Sequence, residues 1–157
     1  MLAGRLGMDF FDTDARLCAG FECSVSEYVS RSGWAAFRQK EKELLVTLAG
    51  VTHAVISTGG GAVLHEAQWR RLRKNSLVVW LQADVATIRQ RMKQDAATAD
   101  QRPSLTGNGI GDEVGELLAT RSPLYQEGSD MSVDTTALTP EEIVNVIEKE
   151  ISSGFPK

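Results

Sequence analysis

Three consecutive glycines, in the stretch STGGGAV at residues 57–63, directly follow a short apolar run. Glycine lets the backbone approach a ligand closely, and successive N–H groups can form a concave site for an anion. The alternative is a tight strand-to-helix turn that needs a positive φ. Three glycines in this position favour a ligand-binding role for Gly59, Gly60 and Gly61.

Two carboxylates, Asp12 and Asp14, follow a second apolar run, MDFF at residues 8–11. A carboxylate at the end of a strand can hold Mg²⁺, directly or through water, or bind the hydroxyl groups of a polyol. One of the two side chains can serve a metal while the other serves a substrate. The alternative is that an aspartate caps the N-terminus of a helix, where this residue is common.

An arginine, Arg121, lies on the apolar side of a helix predicted over residues 112–125. That side is formed by Val114, Leu117, Leu118 and Tyr125. An inward arginine needs an anion, because an unpaired buried charge is costly. The anion is either an internal carboxylate or the carboxylate or phosphate of a ligand, which arginine binds through two parallel hydrogen bonds. The alternative is a side chain that extends to solvent at the rim.

Two further arginines give weaker signals. Arg38 and Glu41 are three residues apart on a predicted helix, a spacing typical of a solvated surface ion pair, which gains interest if Arg38 faces the same rim as Asp14. Arg102 lies in residues 95–111, which have no hydrophobic periodicity and are typical of a functional lid or a disordered segment. An arginine of a lid can close over phosphate; the alternative is an ordinary loop residue.

The elements that must position these residues alternate along the chain. Short apolar runs predict strands at residues 8–11, 53–58, 76–82 and 131–135. Helices are predicted at residues 24–32, 35–49, 65–74, 84–94 and 112–125 and from Thr139 onward, with capping boxes at Ser24 and Thr139. This order predicts right-handed crossovers and a mostly parallel sheet. Such a sheet binds ligands beyond the carboxyl ends of its strands, so the two aspartates and the three glycines should share one rim.

Length, charge and apolar content narrow the class of protein. A chain of 157 residues predicts a single domain, and a net charge of −4 argues against a nucleic-acid partner. The longest apolar run, at residues 77–81, is too short to cross a membrane, and we expect no secretory signal. Cys18 and Cys23 match no common metal pattern and indicate reduced thiols. We expect a cytoplasmic protein, and a monomer.

Five motifs, in their order and spacing, resemble shikimate kinase over nearly the whole chain from Leu2: FFDTD, WAAFRQKE, VISTGGGAVL, RPSLTG and RSPLY. The RPxLTG sequence and the long lid are most similar to the type represented by the second enterobacterial isoenzyme. The resemblance implies a three-layer α/β/α fold of the P-loop, nucleoside-monophosphate-kinase-like class. It also implies phosphoryl transfer from ATP to the 3-hydroxyl of shikimate, with Mg²⁺ as cofactor, in chorismate and aromatic amino-acid biosynthesis.

The same resemblance implies which residues bind the substrate. Asp14 would bind the shikimate hydroxyls and help to orient or deprotonate the nucleophile. Arg38 and Arg121 would clamp the shikimate carboxylate, and Glu41 would support Arg38. The backbone of residues 59–61 would contact the substrate.

For the nucleotide and the metal, the resemblance implies three further residues. Asp12 would lie in the Mg²⁺ shell. Arg102, in the lid of about residues 95–111, would reach the ATP phosphates and take part in catalysis. Arg91 would lie near the adenine.

The chain departs from the family at its start. Members open with a strand and a phosphate-binding loop of sequence GxxGxGK[ST], and residues 1–157 contain neither. The segment Leu2–Leu6 would be the end of the helix that follows that loop. In such a loop the backbone cradles the phosphates, the lysine reaches the β- and γ-phosphates and the Ser or Thr holds Mg²⁺. A missing central strand would leave its neighbours with unpaired edges. We therefore expect an N-terminally incomplete chain that is poorly stable and catalytically very weak.

Three hypotheses stay open at this point: a shikimate kinase with an incomplete N-terminus, a pseudokinase that binds shikimate but not ATP, and a related gluconate-type kinase. Arg102 argues against the second, because a protein that never binds ATP has little use for a lid arginine. The pair Arg38 and Arg121 indicates an acidic substrate without singling out shikimate. Binding of shikimate compared with gluconate separates the first hypothesis from the third.

Overall fold

A computed structural model describes residues 1–94 and 110–154 of the chain, without the side chains of residues 110–113. The first half contains helix α1 (Leu2–Leu6), strand β1 (Asp9–Asp12), helices α2 (Thr13–Phe21) and α3 (Val25–Leu48), strand β2 (Ala54–Ser57), a 3-10 turn (Ala62–Leu64) and helix α4 (Glu66–Arg73). The second half contains strand β3 (Val79–Gln82), helices α5 (Val85–Gln94) and α6 (Ile110–Gly128), strand β4 (Met131–Asp134) and helix α7 (Pro140–Ser152).

The four strands pair in parallel, as the sequence predicts. β1 lies beside β2, with Asp9 opposite Ala54 and Asp12 opposite Ser57. β3 lies beside β4 in the same way. Among the described residues no strand hydrogen-bonds to both pairs, so the parallel α/β organisation takes the form of two separate two-stranded ladders.

Local signals explain most helix boundaries. The Ser24 hydroxyl accepts a hydrogen bond from the Glu27 N–H and the Glu27 carboxylate accepts one from the Ser24 N–H, which confirms the predicted capping box of α3. Thr139 begins α7 with the same arrangement. Gly33 interrupts α3 at φ 80° and ψ 163°, where a residue with a Cβ would be strained. Helix α2 was not predicted, and no described helix is long and apolar enough to span a membrane.

The buried side chains form two clusters, and both include residues of α3. One consists of Leu45, Leu48, Ala62 and Leu72. The other consists of Leu17, Val25 and Phe37, and Leu44 packs against both. Helix α3 is therefore the element around which the first half of the chain is packed, and it carries both Arg38 and Glu41.

Candidate active site

The ends of β1 and β2 bring the aspartates and the glycines to one rim, as predicted. Asp12 is the last residue of β1 and pairs with Ser57, the last residue of β2. Just beyond, the N–H of Gly59 donates to Oγ1 of Thr13 over 3.1 Å. A Cβ placed on Gly59 would lie 3.0 Å from Oδ1 of Asp14. The carboxylate of Asp14 therefore lies directly against the first glycine.

Close approach, not backbone conformation, explains the three glycines, which we call the glycine loop (Gly59–Gly61). None of them has a positive φ, so the turn alone does not require glycine here. A Cβ on Gly60 would lie 3.0 Å from the Tyr125 hydroxyl, and one on Gly61 would overlap Nη1 of Arg38. The N–H of Gly59 is already used within the protein, since it donates to Thr13.

Asp12 caps helix α2, which is the alternative that the sequence left open for this residue. Its Oδ1 accepts a hydrogen bond from the Ala15 N–H over 2.9 Å. Within the described parts of the chain, no group of three or more His, Cys, Asp or Glu side chains could hold a metal ion. Mg²⁺ often keeps water and phosphate ligands and uses only one or two carboxylates, so Asp12 and Asp14 still fit it.

Arg38 is half-buried and is held by contacts within the protein. Its Nη1 pairs with Oε2 of Glu41, whose side chain is buried. The guanidinium carbon lies 5.1 Å from the ring centre of Trp34 and 5.6 Å from that of Phe37. The interpretation of Arg38 and Glu41 as a solvated surface pair is therefore wrong, because the carboxylate of Glu41 is buried.

A second partner of Glu41 is His65, which sequence reasoning missed. Nε2 of His65 lies 3.2 Å from Oε2 of Glu41, and the histidine is only 5% exposed. His65 follows the glycine loop by four residues, so its position in the sequence was the available signal. It links the segment that bears the glycines to the helix that bears Arg38.

Arg121 reaches the same loop from helix α6. Its Nη1 lies 3.4 Å from the carbonyl oxygen of Gly60, and the hydroxyl of Tyr125 donates to that oxygen over 2.8 Å. The Tyr125 ring packs 5.6 Å from that of Trp80. The hydrogen bond from Arg121 to the Gly60 carbonyl is therefore long and weak.

Arg91 lies at the ends of the second strand pair. Its Nη1 donates to Oγ1 of Thr135 over 2.9 Å and its Nη2 to the Thr135 carbonyl over 2.6 Å. The Thr135 hydroxyl donates in turn to the Gln82 carbonyl at the end of β3. Arg102 lies outside the described residues, as does most of the predicted lid.

Two further features of helix α2 concern Thr13 and Cys18. Thr13 is buried and ties the glycine loop to α2, a role that its place between two aspartates did not reveal. Burial raises the pKa of the Cys18 thiol, and the negative charges of Asp14 and Asp12 act in the same direction. Cys18 and Cys23 form no disulfide in this structure.

Comparison with known proteins points to one family. The family model for shikimate kinase matches residues 1–152. Shikimate kinase 2 of Yersinia enterocolitica is 40% identical over 146 residues, which cover 93% of this chain and 82% of that protein. Shikimate kinase 2 of Photorhabdus laumondii is 34% identical over 155 residues, which cover 99% of this chain and 87% of that protein.

Solved structures agree with this assignment. The shikimate kinase of Acinetobacter baumannii, in complex with shikimate, superimposes with a TM-score of 0.88 at 27% identity, covering 99% of this chain and 85% of that one. The shikimate kinase of Bacteroides thetaiotaomicron gives a TM-score of 0.83 at 25% identity, covering 96% of this chain and 88% of that one.

Proposed function

Because the chain belongs to the shikimate kinase family, we propose that it transfers a phosphoryl group from ATP to the 3-hydroxyl of shikimate. One observation carries the proposal: Arg38, Arg121 and Asp14 all meet at the glycine loop. A site with two cations and a carboxylate fits a small acid that also carries hydroxyl groups.

The two arginines bind the carboxylate of shikimate. The guanidinium of Arg38 is fixed by Glu41 and stands over Gly61. Arg121 approaches from α6 and already contacts the Gly60 carbonyl. Arginine matches a carboxylate through two parallel hydrogen bonds, so the pair selects an acid and fixes its orientation.

Asp14 binds the hydroxyl groups and receives the proton. In the reaction the 3-hydroxyl oxygen forms a bond to the γ-phosphorus while the bond from that phosphorus to the β–γ bridging oxygen breaks. The hydroxyl proton passes to Asp14, the carboxylate of the rim that lies against Gly59. Positioning contributes most of the rate in such transfers, since the transition state is loose and the protein's main task is to align the two oxygens.

Nucleotide and metal are assigned to the remaining candidates. Asp12 belongs to the shell of a Mg²⁺ ion, which neutralises charge on the phosphates when it is bound. Arg91, fixed at its edge by Thr135, offers a flat guanidinium face to adenine. Arg102 is assigned to the ATP phosphates by its motif alone. We propose that the protein acts as a monomer.

A binding experiment tests the acceptor site. Purified protein is titrated with shikimate, with gluconate and with the methyl ester of shikimate, and heat is measured by calorimetry. We expect saturable binding of shikimate and much weaker binding of the other two ligands. Equal affinity for gluconate would favour the related kinase class, and no binding of shikimate would overturn the proposal.

A transfer experiment tests the donor side. Residues 1–157 contain no GxxGxGK[ST] sequence, so we predict that these residues alone form shikimate 3-phosphate slowly. Product is measured from labelled ATP with the Asp14→Asn variant as control. Binding of shikimate with no transfer above that control would favour a pseudokinase. A turnover as fast as that of shikimate kinases that contain this sequence would contradict the predicted slow rate.

A further inference from the structure

His65 is a buried histidine to which the proposed reaction gives no task. It is the N-cap residue of α4, yet its side chain makes no capping hydrogen bond to that helix. Its ring instead turns toward α3, where Nε2 lies 3.2 Å from Oε2 of Glu41. The side chain is 4% exposed, so this contact is shielded from water.

The direction of the hydrogen bond follows from the chemistry of its partners. An ionised carboxylate only accepts hydrogen bonds, so Nε2 of His65 carries the hydrogen and donates. The accepting atom, Oε2 of Glu41, is the same oxygen that pairs with Nη1 of Arg38. A carboxylate held from two sides has one orientation, and it presents that orientation to the arginine.

This contact also sets the distance between the two halves of the acid-binding site. Arg38 and Glu41 belong to α3, whereas His65 continues the chain that leaves the glycine loop. Arg38 stands so close to Gly61 that a Cβ there would overlap its Nη1. The hydrogen bond from His65 thus fastens α3 to the segment against which Arg38 must stand.

We propose that His65 is a positioning residue for Arg38: by donating to Glu41 it holds the guanidinium where a substrate carboxylate meets it. This inference rests on the proposed function for the identity of the acid, shikimate. It requires no contact between His65 and the substrate.

Two substitutions of His65 distinguish the effect of its hydrogen bond from the effect of the volume of its ring. His65→Leu fills the space without a donor, whereas His65→Gln places an amide N–H at a similar distance from the backbone. We expect the Kd for shikimate to rise about fivefold in His65→Leu and to stay near the wild-type value in His65→Gln, because a hydrogen bond to a charged group is lost only in the first.

Two comparisons distinguish a positioning role from a merely structural one. The first changes the ligand, and the second changes the background in which His65 is substituted. The methyl ester of shikimate lacks the negative charge, so its Kd should be the same in wild type and His65→Leu. In an Arg38→Met background, His65→Leu should cause no further loss of shikimate affinity. The matched control is His53→Asn: the exposed His53 contacts the Gly7 carbonyl and has a positive φ that asparagine tolerates, so affinity should not change.

A measurement without ligand keeps the inference separate from the proposed function. In ¹⁵N-arginine NMR spectra, the guanidinium protons of Arg38 should exchange slowly in wild type and His65→Gln, and rapidly in His65→Leu. Should His65→Leu fail to fold, His65→Ser takes its place, because serine caps α4 and cannot reach Glu41. No shikimate binding by the wild type would overturn the proposed function alone.

Three results would overturn the role of His65. The first is a wild-type Kd for shikimate in His65→Leu. The second is an equal loss of affinity for the acid and its ester. The third is unchanged proton exchange at Arg38.

Discussion

Arg38 and Arg121 approach the same glycine loop, yet the protein supports them in different ways. Arg38 is paired with a buried carboxylate and flanked by Trp34 and Phe37. Within the described residues, Arg121 hydrogen-bonds only to a backbone carbonyl, that of Gly60, at 3.4 Å. One arginine is held in place before any ligand arrives, and the other has much of its hydrogen-bonding capacity left for a ligand.

This difference has an energetic meaning. Removing one member of a buried ion pair leaves the other charge uncompensated, which destabilises the fold. Removing an arginine that has only a weak partner within the protein should change the stability of the fold little. It should nevertheless lower the affinity for the ligand strongly. Arg38 should therefore matter for both folding and binding, and Arg121 for binding alone.

The largest effect is expected for Arg38→Met. We predict a loss of about 3 kcal/mol in the free energy of unfolding, because Glu41 stays buried without its cationic partner and keeps only the hydrogen bond from His65. The Kd for shikimate should rise about 100-fold. Urea denaturation and calorimetry measure the two quantities. The double variant Arg38→Met with Glu41→Gln should recover stability without recovering affinity, and unchanged stability in the single variant would remove the distinction between the two arginines.

Arg121→Met should separate the two properties. The affinity for shikimate is expected to fall by about 2 kcal/mol, as for one lost partner of a charged hydrogen bond. The free energy of unfolding should stay within about 0.5 kcal/mol of wild type. A loss of stability as large as that of Arg38→Met would show that Arg121 also has a structural partner.

Substitution of glycines tests how tightly Arg38 is confined. Gly61→Ala should cost about 1–3 kcal/mol of stability by overpacking and should weaken shikimate binding, since the new methyl group displaces Nη1 of Arg38. Gly115→Ala is the control, because a Cβ at this helical position meets nothing within 4 Å. It should stabilise the protein by about 0.5–1 kcal/mol. Equal effects of the two substitutions on binding would argue against a confined Arg38.

The smallest expected effect is on the pH dependence of stability, and it concerns two capping glutamates that lie away from the candidate site. Hydrogen bonds from Ser24 lower the pKa of Glu27, and those from Thr139 lower the pKa of Glu142, relative to an ordinary value of 4.5. A lowered pKa in the folded state means that stability is complete above the unfolded value and is lost as the pH falls through the folded one. Glu27→Gln and Glu142→Gln should therefore flatten the fall in melting temperature below about pH 4.5. The difference between Arg38→Met and Arg121→Met should persist in this background.

Much of the fold could be predicted from local sequence patterns. Capping boxes, the break at Gly33 and the four apolar runs depend on residues within a few positions of one another, so the sequence predicts them directly. The sequence pattern does not predict helix α2, although Asp12 is a candidate N-cap residue. The stretch TDARLCAGF contains a glycine and no clear apolar period, and its position comes from packing of Leu17 in the core.

The types of residue in the candidate site could be predicted from the sequence. The contacts that hold these residues in place could not. Asp14, the glycine loop and Arg121 could be named from spacing and from the strand ends. The contacts of His65 with Glu41, Thr13 with Gly59 and Tyr125 with Gly60 join residues 24, 46 and 65 positions apart. No local period encodes such contacts. For this reason the spacing of Arg38 and Glu41 indicated a surface ion pair, although the carboxylate of Glu41 is buried.

The contact between Trp34 and Arg38 also gives the site an optical reporter. A guanidinium 5.1 Å from the indole ring alters the electric field at that ring, so a ligand anion that neutralises the cation should change the emission of Trp34. With Trp69 and Trp80 replaced by phenylalanine, Trp34 is the remaining tryptophan, since the chain has three. Arrival of the acid at Arg38 could then be followed in real time by stopped-flow fluorescence, without a label and without turnover.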